Sequence, residues 1–188
     1  MLKKMQKMRI RKRLNTSSIF TVALTSIASL VALIAILIMT NEYNHTLTYY
    51  AFPQGDIALA MNEFAEVRSA TRAIIGYEEQ SAIDTAVAQH EEAVAELERL
   101  MGVVEGTMVT KEGKESFAAI QEALAAYYEV EEKVLEIGNT TDTELCAQAQ
   151  KMAINELAPL YNAADETFTH LMDVNVQKGD QEQKLLNT

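Results

Sequence analysis

Polar and apolar positions divide this chain into one long apolar segment and a series of amphipathic ones. Residues 14 to 40 carry no charged side chain, and the apolar stretch Ile19 to Met39 is interrupted only by small and hydroxyl residues. As a helix rising ~1.5 Å per residue it would be ~31 Å long, enough to cross the ~30 Å hydrocarbon layer of a bilayer. Beyond it, apolar side chains recur at helical spacing. The first amphipathic segment runs from about Asp56 to Tyr77 with Ile57, Met61, Phe64, Val67 and Ile74 on one face. Asn41 to Tyr50 continues the apolar helix towards it, and Pro53 is expected to kink or interrupt the chain there. The second starts at Ser81, read as an N-cap, and runs to Val104. Its stripe is Ile83, Val87, His90, Val94, Leu97, Met101 and Val104, stepping by four and three, which is a heptad seam with one polar member.

Gly102, Gly106 and the run Thr110 to Gly113 read as the next turn. The third segment carries Phe117, Ile120, Leu124, Tyr127, Val130, Val134 and Ile137, and Gly138-Asn139 reads as a glycine stop. Thr141 or Asp142 caps the fourth, whose apolar positions are Leu145, Met152, Leu160, Phe168, Leu171 and Val174. Pro159 lies inside it and should remove one backbone hydrogen bond and bend it. Long amphipathic helices joined by short turns favour antiparallel neighbours. The expected fold is all-α: a transmembrane helix followed by an antiparallel up-down-up-down four-helix bundle. The turns near 79 and 140 fall at the far end, the turn near 108 lies close to the membrane, and Thr188 returns to the membrane surface.

Charge sharpens this picture. Lys3, Lys4, Lys7, Arg9, Arg11, Lys12 and Arg13 precede the apolar run without an acid among them. A basic flank stays on the cytoplasmic side, so the remainder should lie outside, anchored in the cell membrane by a single pass. A cleaved signal peptide is the competing reading, but its apolar core is usually ~7–15 residues and ends in a small-residue cleavage site, which Ile38 to Glu42 does not offer. The boundaries are therefore a cytoplasmic arm at 1–13, a membrane helix at 14–40 and an extracytoplasmic bundle at 41–188. The whole chain has a net charge of −11; without the basic arm, nine Lys and Arg face 27 Asp and Glu. So acidic a surface repels nucleic acid. The single cysteine, Cys146, excludes an intrachain disulfide and reads as a packing residue. Two prolines, seven glycines and no tryptophan fit helix and give no sign of a sheet.

Particular stretches carry a family likeness. Pro53-Gln54-Gly55-Asp56-Ile57 and Phe64-Ala65-Glu66-Val67-Arg68-Ser69-Ala70-Thr71-Arg72-Ala73-Ile74-Ile75-Gly76-Tyr77 resemble the first sensor-bundle helix of bacterial methyl-accepting chemotaxis receptors. Leu157-Ala158-Pro159-Leu160-Tyr161 and Leu171-Met172-Asp173-Val174-Asn175 resemble the last. The resemblance implies the extracytoplasmic ligand-sensing region of a chemoreceptor, working as a homodimer, with ligand at the dimer interface and a small piston-like shift of the last helix against the first. That family continues into a second membrane helix, a HAMP linker and a cytoplasmic coiled coil. None is present here, so the chain reads as a fragment or a truncated receptor. The same module on a histidine kinase or nucleotide cyclase is the alternative output. A membrane-anchored docking protein that binds a solute-binding protein is the alternative without a small-molecule site.

Arg68 and Arg72 are the sharpest chemical feature. A spacing of four places both guanidinium groups on one helix face, and two forked donors suit a carboxylate or other planar anion. The resemblance implies the same role, since amino-acid-sensing members hold ligand carboxylates with arginines on this helix; their third arginine position is Glu63 here. Pairing with Glu63, Glu66 or acids of neighbouring helices is the plainer reading. With residue 79 level with 142, Gln148, Gln150, Met152 and Asn155 face the arginines across the bundle. The candidate ligand site is thus Arg68, Arg72, Gln148, Met152 and Asn155. His90 on the seam is expected to be a hydrogen-bonded core histidine, with pH sensing or metal binding as alternatives. Glu42-x-x-His45 and Glu166/His170 have metal-ligand spacings, but the further ligands of a metal site cannot be assembled, so no metal and no cofactor are expected. Tyr127, Tyr128 and Tyr161 read as packing residues or cleft lining. No phosphate loop, nucleophile elbow or Cys-x-x-Cys motif is present, and no catalytic activity is expected.

Overall fold

A computed structural model describes residues 10–186 of the chain. Most of the basic arm and the return of Thr188 lie outside the described residues. Helix α1 spans Ile10–Thr46, followed by a π-turn at Leu47–Ala51 (π1), α2 at Phe52–Ile74, α3 at Gln80–Thr107 and α4 at Lys111–Gly138. Helix α5 at Thr143–Met152, a second π-turn at Ala153–Leu157 (π2) and α6 at Ala158–Leu186 complete the order. The chain forms two units, dividing between His45 and Thr46. In the first, α1 leaves its apolar side chains from Leu14 to Met39 exposed. It is long and apolar enough to cross a membrane.

The second unit is a four-helix bundle, all-α throughout its described residues. Phe64, Tyr127, Phe168, Ile57, Ile83, Leu97, Ile120 and Leu171 fill its core. Helix α2 packs most closely on α3, α4 packs on α5 and α6, and α2 also meets α6. Small buried residues permit the close α2–α3 approach: Ala60 and Ala70 on one helix, Ala86 and Ala93 on the other. The heptad seam of α3 is accordingly rotated. Ala86 and Ala93 are buried, whereas Val87, His90 and Val94 are half-buried. Leu145, expected in the stripe of the last segment, is 42% exposed, while Ala149, Leu157, Tyr161 and Ala164 enter the core.

Several local expectations change. The N-cap of helix α3 lies two residues earlier than expected, at Glu79 in place of Ser81. Gly102 and Gly106 lie within α3, and the turn is only Met108 to Thr110. Thr110 is the N-cap of α4, accepting a hydrogen bond from the Gly113 N–H at 3.0 Å. Asp142 caps α5 by accepting from the N–H groups of Glu144 and Leu145. Gly138 does not adopt the left-handed conformation of a helix-stop glycine; no described glycine has positive φ. It is the last residue of α4, where a Cβ would stand 2.6 Å from both Ala149 Cβ and Ile75 Cγ2. Its glycine is required by close packing.

Both prolines occupy the same local arrangement. Pro53 and Pro159 are each the second residue of an α-helix that directly follows a five-residue π-turn. A proline ring clashes with the carbonyl four residues earlier, and those carbonyls belong to Tyr49 and Asn155, inside π1 and π2. Widening the turn displaces that carbonyl and accommodates the missing N–H, so the proline sits beside a register change instead of a break.

Candidate functional site

Helix α2 presents Arg68 and Arg72 on the side that faces π2 and the start of α6. Together with Thr71, Tyr127, Ala153, Leu157, Ala158 and Tyr161 they line a cleft of about 20 Å³. Arg68 is half-buried, its Cζ 4.0 Å from the centroid of the Tyr161 ring. Tyr161 in turn stacks on Phe64 at 4.7 Å with the rings 17° apart. The aromatic pair is thus a rigid platform that holds one guanidinium by cation–π attraction, leaving its N–H edge for a ligand. Arg72 is exposed in the last turn of α2, where a cation complements the negative end of the helix dipole.

Among the described residues neither arginine has a carboxylate within ion-pair distance. The acids expected to neutralise them are elsewhere. Glu63 and Glu66 line a separate groove of about 710 Å³ between α2 and α3, together with Glu92, Glu96 and Arg99. Five positions on a helix turn a side chain by ~140°, which is why Glu63 cannot meet Arg68.

Of the residues expected opposite the arginines, Gln148 and Asn155 are exposed and Met152 packs partly against the core; none lines the cleft. Gln150 is committed to the end of the bundle where α2 stops, donating from Nε2 to the Ile75 carbonyl at 2.9 Å. The register explains the difference. Helix α2 ends at Ile74, short of residue 79, so Ile75 is level with Gln150 and Phe64 with Tyr161. The cleft therefore meets α6 about a turn further along the chain, at Leu157 and Tyr161.

The floor of the cleft is polar and buried. Tyr127 and Thr71 both line it and both reach the carboxyl of Glu131, which is 2% exposed. Thr71 Oγ1 lies 2.5 Å, and Tyr127 Oη 3.0 Å, from Glu131 Oε1. His90 Nε2 lies 3.3 Å from the same oxygen, but off hydrogen-bond alignment. The Tyr127 phenol is held well above its ordinary range, first by burial and then by the adjacent Glu131. Tyr128 is raised by the same two causes, with Glu98 adding to them. Glu131 escaped the sequence pattern because it stands among other acids, Glu129, Glu132 and Glu136; the usable signal was its spacing of four from Tyr127 and three from Val134. His90, expected as a hydrogen-bonded core histidine, is instead half-buried at the core edge, and its Nε2 makes no hydrogen bond.

Among the described residues no three His, Cys, Asp or Glu side chains converge as a metal site would require. Cys146 is half-buried at the tip, its Sγ 3.1 Å from the Thr140 carbonyl.

Comparison with known proteins adds one finding. The family model of the four helix bundle sensory module for signal transduction matches residues 7–188. No curated protein matches the chain.

Proposed function

The chain belongs to the family of four-helix-bundle sensory modules for signal transduction, and from that premise we propose that it is the extracytoplasmic sensing region of a transmembrane chemotaxis receptor that binds a small organic anion. The reading rests on the arginine pair of α2. In a chain with a net charge of −11, two guanidinium groups line one cleft without a carboxylate partner among the described residues. Leaving such donors unpaired has a purpose if a mobile anion supplies the missing charge. The apolar part of α1 would anchor the bundle in the cell membrane, with the basic arm on the cytoplasmic side.

The size of the cleft bears on the stoichiometry. About 20 Å³ holds one or two waters or the oxygens of a carboxylate, not a whole metabolite. The body of the ligand would lie outside, against a second copy of the chain, which favours a homodimer with ligand at its interface. Binding there presses on π2 and the start of α6. A ligand that prefers one arrangement of these elements over another shifts their population and so passes on a helix displacement.

Calorimetry on the full chain in lipid nanodiscs, with succinate, aspartate and citrate as probes, tests the reading. At least one probe should bind the wild type, and Arg68→Ala and Arg72→Ala should each weaken it tenfold or more. Unchanged affinity in both variants, or no binding of any probe at millimolar concentration, would contradict it.

A further inference from the structure

Resting on the reading of Arg68 and Arg72 as an anion site, we propose that their cleft takes a carboxylate with an apolar body and selects against α-amino acids.

The place of the α-ammonium is the first reason. In an α-amino acid the ammonium nitrogen is bonded to the carbon that carries the carboxylate. It therefore stays with the carboxylate inside the cleft, not out with the body of the ligand. A carboxylate held by the two guanidinium groups brings that third cation in beside them, and like charges this close repel unless an acid stands between them. Besides the arginines, the cleft is lined by Thr71, Tyr127, Tyr161, Ala153, Leu157 and Ala158, none of them an acid.

Two carboxylates lie close to this lining, and both are withheld from it. Glu131 is beneath the floor, in contact with the hydroxyls of Thr71 and Tyr127. Those two residues are 1% and 0% exposed and close the floor over it. Glu156 precedes Leu157 in π2, but it is exposed, does not line the cleft, and acts on Lys133 of α4. An aromatic face could hold an ammonium instead of an acid. The ring of Tyr161 is taken, by the Arg68 guanidinium at 4.0 Å and by Phe64 at 4.7 Å.

The wall opposite the arginines is the second reason. Ala153, Leu157 and Ala158 present only hydrocarbon. Leu157 is buried, and the two half-buried alanines are the part of this wall that water still reaches. A methylene chain or an aromatic ring laid on it removes apolar surface from water on both sides. An ammonium in the same place gives up hydration and gains no hydrogen bond in return. The cations on α2 and the apolar wall of π2 and α6 thus match the two halves of one amphiphilic anion.

Calorimetry on the full chain in nanodiscs with two matched pairs tests this: isocaproate against leucine, and hydrocinnamate against phenylalanine. The members of each pair differ only in the α-ammonium. In at least one pair the des-amino acid should bind about tenfold more tightly than its amino acid or better, and Arg68→Ala should weaken it by about tenfold or more. Ala158→Asp, which places an acid on the wall, should narrow the ratio. A smaller ratio in both pairs, with binding still lost in Arg68→Ala, overturns the selectivity and leaves the anion site standing. The same holds if succinate binds through Arg68 while no member of either pair binds. An unchanged ratio in Ala158→Asp, shown to be folded by circular dichroism, overturns the role of the wall; should that variant not fold, the wild-type ratios decide. Binding that Arg68→Ala leaves unchanged, or no binding of any of the five compounds, removes the anion site and the selectivity together.

Discussion

Replacing Gly138 by alanine tests how the end of the bundle where α4 meets α5 is held together. The position has helical backbone geometry, so intrinsic propensity alone predicts that alanine stabilises by up to ~1 kcal/mol. Packing predicts the opposite. The new methyl would stand 2.6 Å from Ala149 Cβ and from Ile75 Cγ2, well inside an ordinary carbon–carbon contact of about 3.5–4.0 Å. Both neighbours are buried, Ala149 completely and Ile75 nearly so, so neither can swing aside without moving its helix. Overpacking of this kind costs ~1–3 kcal/mol, which outweighs the propensity gain at all but its lower limit. The net expectation is a loss of up to ~2 kcal/mol once the propensity gain of ~1 kcal/mol is subtracted. Urea denaturation of the full chain in nanodiscs, followed by circular dichroism, measures it. Ala149→Gly in the Gly138→Ala background should recover ~1 kcal/mol relative to the sum of the single changes, because it removes one of the two clashes. Additive behaviour, or a more stable single variant, would refute the packing argument.

Other consequences follow from the same structure. Phe64→Ala should cost ~3–5 kcal/mol, since it empties the centre of the aromatic cluster formed with Tyr127, Tyr161 and Phe168; the same denaturation assay reads it. A double-mutant cycle between Arg68→Ala and Tyr161→Leu should show a coupling of ~0.5–1 kcal/mol in stability, the worth of a partly exposed cation–π contact. Asp142→Ala should lose ~0.5–2 kcal/mol by leaving the N–H groups of Glu144 and Leu145 without their cap. The raised phenols of Tyr127 and Tyr128 contribute stability that is present below pH ~10 and is lost as pH rises above it. Ultraviolet titration should therefore show these two tyrosines ionising only together with alkaline unfolding, after the exposed tyrosines have titrated.

The sequence alone determined the class of the fold. A long uncharged apolar run, four amphipathic segments and short polar turns leave few alternatives, because helical periodicity and element length are local properties. Ile57, Phe64, Leu97, Ile120, Phe168 and Leu171 were legible as core for the same reason. Arg68 and Arg72 stood out because a four-residue spacing fixes their common face wherever the helix is placed.

Tertiary structure decided what faces those arginines and what lies beneath them. The register between α2 and α6 depends on where each helix stops at the tip, and one turn of difference replaced Gln148, Met152 and Asn155 by Leu157 and Tyr161 in the cleft wall. The π-turns before Pro53 and Pro159 also lay beyond reach, since a proline states that a helix is perturbed but not how its neighbours absorb the perturbation. Gly138 looked like a stop signal and proved to be a contact, because the reason for a missing side chain lies in the opposing helices. Glu131 was one acid among many in a chain with 27 of them. Only the convergence of Thr71, His90 and Tyr127 from three helices onto its buried oxygen sets it apart, and convergence is a property of the fold that no local pattern encodes.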